Sequence, residues 1–117
     1  MGIITETVEV TGVRGTIKVE ALIDTGAEGN YINELLADRF ERIGIIRFYD
    51  TEVSIAGSRE KEMKIAFVFK ELKLLETRLV EPEFIVFDGI DYDAVIGVEV
   101  LQTLGLNIDM RSDKLSL

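Results

Sequence analysis

The stretch Ala21-Leu22-Ile23-Asp24-Thr25-Gly26-Ala27 takes an apolar segment directly into an acid, a hydroxyl and a glycine. The residues from Thr16 to Ile23 alternate between apolar and polar, which predicts a strand with one buried face. Such a strand would hold the backbone rigidly and present the Asp24 carboxyl at its end. Gly26 permits a tight turn and the close approach of another backbone, and the Thr25 hydroxyl can tie the loop to a neighbouring element. By itself, the pattern also fits an aspartate that only caps a turn.

Two residue types are missing from the sequence, and their absence limits the catalytic and metal-binding chemistry that the chain can perform. The 117-residue chain contains no histidine and no cysteine, which excludes Ser-His-Asp and Cys-His catalysis, disulfides, and zinc sites of imidazole or thiolate. Carboxylates, hydroxyls, lysines and backbone amides are the reactive groups that remain. The acids Asp88, Asp91 and Asp93 share one turn, but they lack the spacing of a calcium-binding loop. They predict a solvated turn and no metal.

The charge balance bears on partners and location. The chain has 13 Lys and Arg against 22 Asp and Glu, a net charge of −9. No basic run exists, so no nucleic-acid partner is expected. No segment approaches the ~20 apolar residues of a membrane helix, and the first residues do not form a signal peptide. We therefore expect no membrane partner, and the absence of cysteine makes a cytoplasmic location the default.

No linker, repeat or low-complexity stretch divides the sequence, so we expect one domain over residues 1–117. Alternation and short apolar runs predict strands at 5–10, 16–23, 45–56, 63–69, 72–80, 84–87, 94–96, 106–110 and 115–117. Helical spacing predicts short helices at about 33–40, capped by Asn33, and at 98–104, ended by Gly105. This pattern is typical of a mainly β domain with a barrel-like sheet.

A second segment gives the Asp24 motif a context. Ala94-Val95-Ile96-Gly97 is an apolar strand that ends in glycine and enters the second predicted helix. Together the two segments resemble the retroviral-type, or retropepsin-like, aspartic proteases. The closing Leu106-Asn107-Ile108-Asp109 is similar to the last strand of the cellular and prokaryotic branch of that family. The resemblance covers about 5–110, and 20–27 is its most specific part.

The resemblance implies a small closed acid-protease barrel with a flap hairpin and one or two short helices, one lobe per chain. It implies an aspartic endopeptidase that works as a homodimer on a polypeptide substrate, with Asp24 as the catalytic residue and with no metal or cofactor. Thr25, Gly26 and Ala27 would support the active-site loop, with Thr25 bonding across the two-fold axis. Ala56-Gly57-Ser58 occupies the place of the flap that covers substrate, although an ordinary surface turn fits the same residues.

The sequence also departs from the family pattern. Viral members usually carry an arginine after the late glycine, where this chain has Val98, so Glu28 lacks that partner. Glu99 replaces the Asp or Asn that often follows. These departures concern the network that braces the dimer, and residues 111–117 could form a hairpin within one chain. Two rival interpretations remain: an inactive or weakly active dimeric peptide-binding module, and a structural β-domain in which Asp24 only caps a turn.

Overall fold

The computed structural model describes residues 3–54, 59–109 and 111–117. Its strands are β1 (Thr5–Thr11), β2 (Thr16–Ile23), β3 (Tyr31–Asn33), β4 (Arg47–Ser54), β5 (Lys61–Val68), β6 (Glu71–Leu74), β7 (Thr77–Val80), β8 (Glu83–Phe87), β9 (Ala94–Ile96), β10 (Asn107–Asp109) and β11 (Lys114–Ser116). Its helices are a 3-10 helix (Glu34–Leu36), α1 (Ala37–Arg42) and α2 (Val98–Leu104). The prediction of a mainly β fold is confirmed. Among the described residues, no helix has the length and apolarity that crossing a bilayer requires.

Within the described residues, nine strands form one sheet in the order β4-β5-β8-β3-β9-β2-β1-β6-β7, and β10 pairs with β11 apart from it. The sheet curls into a half-barrel, which agrees with the expected acid-protease barrel. Most neighbours are antiparallel, but β2 runs parallel to β9 and β3 runs parallel to β8. Strand β9 lies between β2 and β3, and all three of its residues are buried. This burial confirms the prediction from its wholly apolar sequence.

An aromatic cluster anchors α1 to the sheet. Phe40 on α1, Phe69 after β5 and Phe84 on β8 are all fully buried. The Phe40 ring centroid lies 5.7 Å from that of Phe69 and 6.4 Å from that of Phe84. Burying one such side chain stabilises a fold by about 1.5–3 kcal/mol. The cluster therefore fixes the helix that follows β3, and with it the segment leading away from the Asp24 loop.

Two features of the sheet differ from the prediction. The single strand predicted over 72–80 is wrong, because β6 and β7 are separate strands that pair with each other. The turn between them contains no glycine or proline; Leu75 takes a positive φ of 54° instead. The Thr77 hydroxyl then donates to the Leu74 carbonyl at 2.5 Å and closes the turn. Strand β3 was not predicted, because three residues are too few to show a period.

The first predicted helix, at about 33–40, is in the structure a 3-10 helix over Glu34–Leu36 followed by α1, which continues to Arg42. The Asn33 side chain accepts a hydrogen bond from the Leu35 amide at 3.0 Å, so its predicted role as a cap is confirmed. Helix α2 spans the predicted residues, and Gly105 ends it with a φ of 69°. The chain closes with β10 and β11 paired to each other. Ala56-Gly57-Ser58, the predicted flap tip, lies outside the described residues between β4 and β5.

Candidate active site

The loop that carries Asp24 begins where β2 leaves its parallel partner β9. Ile23 is the last residue of β2 and pairs in register with Ile96, the last residue of β9. The next amide, that of Asp24, donates to the Ile96 carbonyl at 3.0 Å. Asp24 then organises its own turn, because its Oδ1 accepts from the Gly26 amide at 2.9 Å. The carboxyl therefore projects from a rigid strand end, as the sequence predicts.

The turn between β9 and α2 packs directly beneath this loop. The Val98 amide donates to the Ala27 carbonyl at 2.8 Å, and the Glu99 amide approaches the Glu28 carbonyl at 3.4 Å. Gly97 makes this approach possible, since a Cβ there would lie 2.2 Å from the Gly29 carbonyl oxygen. The late apolar-apolar-glycine segment thus supports the Asp24 loop, as the resemblance implies.

Asn30 ends the loop, and no pattern in the sequence distinguishes it. Its side chain is 7% exposed, and among the described residues it is the one polar side chain that is buried. Its Oδ1 accepts from the Gly97 amide at 3.1 Å, while its Nδ2 donates to the Glu83 carbonyl at 3.1 Å. Both partners lie far away in the sequence, so no local pattern could have revealed this role.

Two cavities share Ala27 of the loop in their walls. One, of about 430 Å³, is lined by Asp24 and by mostly apolar side chains, namely Ala27, Tyr31, Val53, Phe87, Ile90 and Val95, with Ser54 at its edge. The other, of about 740 Å³, shares Ala27, Tyr31, Val53 and Ser54 with the first and adds the acids Glu28, Glu52 and Glu99. The arm β4 therefore borders both cavities, on the side where the flap is expected.

Tyr31 forms part of the wall between the cavities. Its ring meets that of Phe87 edge to face, with centroids 5.7 Å apart. Burial raises the pKa of the Tyr31 phenol above its ordinary value, and the nearby carboxylates of Glu28 and Asp24 raise it further. The phenol therefore stays neutral at physiological pH and offers a hydrogen-bond donor to the cleft.

A family model described as aspartyl protease matches residues 7–100, from β1 into α2. The chain belongs to the aspartyl protease family. The match contains both the loop of Asp24 and the turn of Gly97, the two segments that the geometry brings together. Comparison with curated proteins gives no match.

Within this aspartyl protease chain, the predicted loop residues differ in exposure. Asp24 and Ala27 are half-buried at the cavity wall, whereas Thr25 and Gly26 are exposed. In the described part of the single chain, the Thr25 hydroxyl and the Glu28 carboxyl make no hydrogen bond or ion pair within the chain. Thr25, Gly26 and Glu28 thus lie on the solvent-exposed side of the loop.

Two of the three acids in the turn after β8, Asp88 and Asp93, have structural partners. Asp88 pairs with Lys64 of β5 at 3.0 Å, and this hydrogen-bonded ion pair holds the Asp88 pKa below its usual range. The Asp93 carboxylate accepts from the Glu20 amide at 3.3 Å. Among the described residues, no group of three or more acidic side chains is arranged to hold a metal ion.

Proposed function

We propose that this chain is an aspartic endopeptidase of the retropepsin-like type, active as a homodimer. The observation that carries the proposal is the position of Asp24. It follows the last residue of β2, its amide is bonded to the last residue of β9, and it lines a mostly apolar cavity. A rigidly held carboxyl beside a cleft is what acid–base catalysis requires. The similarity of 106–109 to cellular family members supports the cellular branch, and the absence of cysteine supports a cytoplasmic location.

A dimer is proposed because the reaction needs two carboxyls and each chain supplies one Asp-Thr-Gly. A two-fold axis would place Asp24 opposite its counterpart in the second copy. Two carboxyls about 3 Å apart cannot both ionise, so the pair holds one proton in common. The exposed Thr25 and Gly26 lie where such contacts would form. This arrangement would also give Thr25 its cross-axis hydrogen bond.

The chemistry then follows from the shared proton. The ionised carboxyl takes a proton from the bound water as the water oxygen attacks the peptide carbonyl carbon. The protonated carboxyl donates to the carbonyl oxygen, which becomes a hydroxyl of the tetrahedral intermediate. As the C–N bond breaks, the nitrogen takes a proton from the carboxyl that accepted it from water, and a hydroxyl of the intermediate returns its proton to the other carboxyl. The C=O bond of the product acid re-forms, and the pair again holds one proton. No cofactor enters the proposed cycle.

Substrate would lie between the loop and the hairpin of β4 and β5. Val53 and Ser54, at the end of β4, line both cavities. Ala56, Gly57 and Ser58 follow and are proposed as the flap that covers the bound polypeptide. The mostly apolar cavity at Asp24 suits a large apolar side chain next to the scissile bond.

The test is cleavage of denatured casein at several pH values between about pH 4 and pH 7. Wild type should cleave, and Asp24→Asn should lose essentially all activity because the amide cannot act as base. Asp38→Asn, the same change on an exposed residue of α1, should keep full activity. Equal cleavage by wild type and Asp24→Asn would refute the proposal.

Mixing the two proteins tests the dimer. After subunits exchange in an equal mixture at fixed total protein, a homodimeric site predicts about one quarter of the wild-type rate, whereas independent monomers predict about half. Sedimentation of the same mixture reports the assembly state. Binding of an extended peptide without cleavage by wild type would instead support the peptide-binding module.

A further inference from the structure

We propose that Asn30 is a positioning residue that closes the loop of Asp24 onto the end of β9. Asn30 is a different residue from the proposed catalytic Asp24, and the kinetic test of its role rests on the proposed protease function. It starts from the fact that Asn30 is buried, polar and bonded to two other segments of the chain. Its contacts show what the side chain holds together.

One peptide group binds both ends of the loop. The carbonyl of Ile96 accepts from the Asp24 amide at 3.0 Å, where the loop begins. The amide of Gly97, in the same peptide unit, donates to the Asn30 side chain at 3.1 Å, where the loop ends. In a trans peptide the C=O and N–H point in opposite directions. The start of the loop is therefore bonded to one side of this peptide unit and the end of the loop to the other side. Releasing Asn30 would free the end of the loop opposite Asp24.

Asn30 also ties the loop to β8. Its Nδ2 donates to the Glu83 carbonyl at 3.1 Å, and its own carbonyl accepts from the Ile85 amide at 2.9 Å. Three segments therefore converge on one residue: the loop, the β9–α2 turn and the start of β8. A buried polar group bonded at both ends specifies one arrangement, because any shift leaves a donor or acceptor unsatisfied.

The partners require a side chain that both donates and accepts. The Gly97 amide can only donate and the Glu83 carbonyl can only accept, so the amide orientation of Asn30 is fixed by its contacts. An ionised carboxylate of the same shape would satisfy Gly97 but would oppose the Glu83 carbonyl. A protonated carboxyl could make both bonds. Asn30→Asp is therefore a variant whose defect can be reversed by acid.

The surroundings determine the direction of that reversal. Besides Asn30, the adjoining cavity of about 250 Å³ is lined by the acids Glu28, Glu83 and Glu99, by Glu81, which is ion-paired with Arg47 at 2.7 Å, and by no Lys or Arg. These carboxylates come from the loop, the β7–β8 connection, β8 and α2. Like charges disfavour ionisation of an added acid, so mild acid should protonate the introduced carboxyl.

The kinetic experiment compares wild type, Asn30→Asp and Asn30→Ala at about pH 7 and about pH 4.5, with each rate corrected for the folded fraction. Relative to wild type at the same pH, kcat of Asn30→Asp should fall about 10- to 100-fold at neutral pH and recover in acid. Asn30→Ala should stay low at both pH values, and KM should change by less than about threefold in either variant. Thr77→Val removes a side-chain hydrogen bond in the distant β6–β7 turn. Its kcat should equal that of wild type once the rate is corrected for the folded fraction.

A second readout does not need activity. Amide exchange followed by NMR should show faster exchange of the Gly97 amide in Asn30→Ala under conditions where the protein stays folded. Unchanged Gly97 protection would overturn the proposal, as would kcat values of both Asn30 variants within about twofold of wild type. If wild type cleaves nothing, the proposed function fails, and loss of Gly97 protection still supports the closing role of Asn30.

Discussion

Replacing Gly97 by alanine should displace the Asp24 loop, because there is no room for the added Cβ. Gly97 has a φ of −91°, which any residue adopts, so the backbone conformation is not at issue. An added Cβ would lie 2.2 Å from the carbonyl oxygen of Gly29, 2.7 Å from that of Ala27 and 2.8 Å from that of Glu28. All three are backbone atoms of the loop, and they cannot rotate away as a side chain could.

The size of the effect follows from these distances. Non-bonded heavy atoms pack at roughly 3.5 Å, so relieving the shortest contact moves the loop by about 1 Å. Overpacking of this kind costs about 1–3 kcal/mol of unfolding free energy, and the lower unfolded-state entropy of alanine offsets about 0.4–1 kcal/mol of it. Displacing a catalytic group by about 1 Å costs on the order of 100-fold in kcat.

The assay combines urea unfolding, followed by circular dichroism, with kcat on a peptide taken from a casein cleavage site. Gly29→Ala is the control for stability, because a Cβ there meets nothing within 4 Å. Gly12→Ala is the control for activity. Its Cβ would lie 2.1 Å from the Gly44 carbonyl oxygen, at the opposite end of β2 from Asp24. It should lose stability but keep kcat in the folded fraction. Wild-type stability together with wild-type kcat in Gly97→Ala would refute the reasoning.

Two further predictions concern charge. The Asp88 pKa is lowered by its hydrogen bond and ion pair with Lys64, so the pair stabilises the fold above the unfolded-state pKa of about 3.9 and loses its effect as pH falls through the lower folded value. The Tm advantage of wild type over Asp88→Asn should therefore shrink between about pH 6 and pH 2.5, and a constant difference would contradict it. The Tyr31 pKa is raised by burial. The contribution of the neutral phenol to stability is therefore complete below the unfolded-state pKa of about 10, and it declines as pH rises toward the higher folded-state pKa. Wild type should lose more stability than Tyr31→Phe between about pH 9 and pH 11 in thermal melts, and parallel losses would contradict this.

The sequence predicted the parts of the fold that rest on local signals. Strand β2 follows from its alternation, and α2 from its apolar spacing and the glycine at its end. The β6–β7 turn was missed because Leu75 adopts a positive φ that its type does not suggest. Strand β3 is defined by pairing with β8 and β9, which lie far along the chain. Its existence depends on tertiary contacts that a local pattern does not contain.

The residues of the candidate site also fall into two groups, those that a local sequence signal indicates and those that only tertiary contacts reveal. Asp24 and Gly97 could be found because each ends an apolar strand, and the motif around Asp24 is specific. Asn30 could not be found, because its partners lie 53 and 67 residues away. A buried asparagine and a solvated one look alike in a single sequence. Only the folded chain shows that its amide has a donor on one side and an acceptor on the other.

The dependence of the loop on the Ile96–Gly97 peptide has a consequence for biosynthesis. The bond from Asn30 to Gly97 spans 67 residues, so it cannot form until Gly97 has left the ribosome. A nascent chain that ends before β9 contains Asp24 but lacks the peptide that anchors its loop. Long-range closures of this kind form late in folding. The carboxyl would thus acquire its support only after the β9–α2 turn had been synthesised, and a shorter nascent chain would carry the residue without the site.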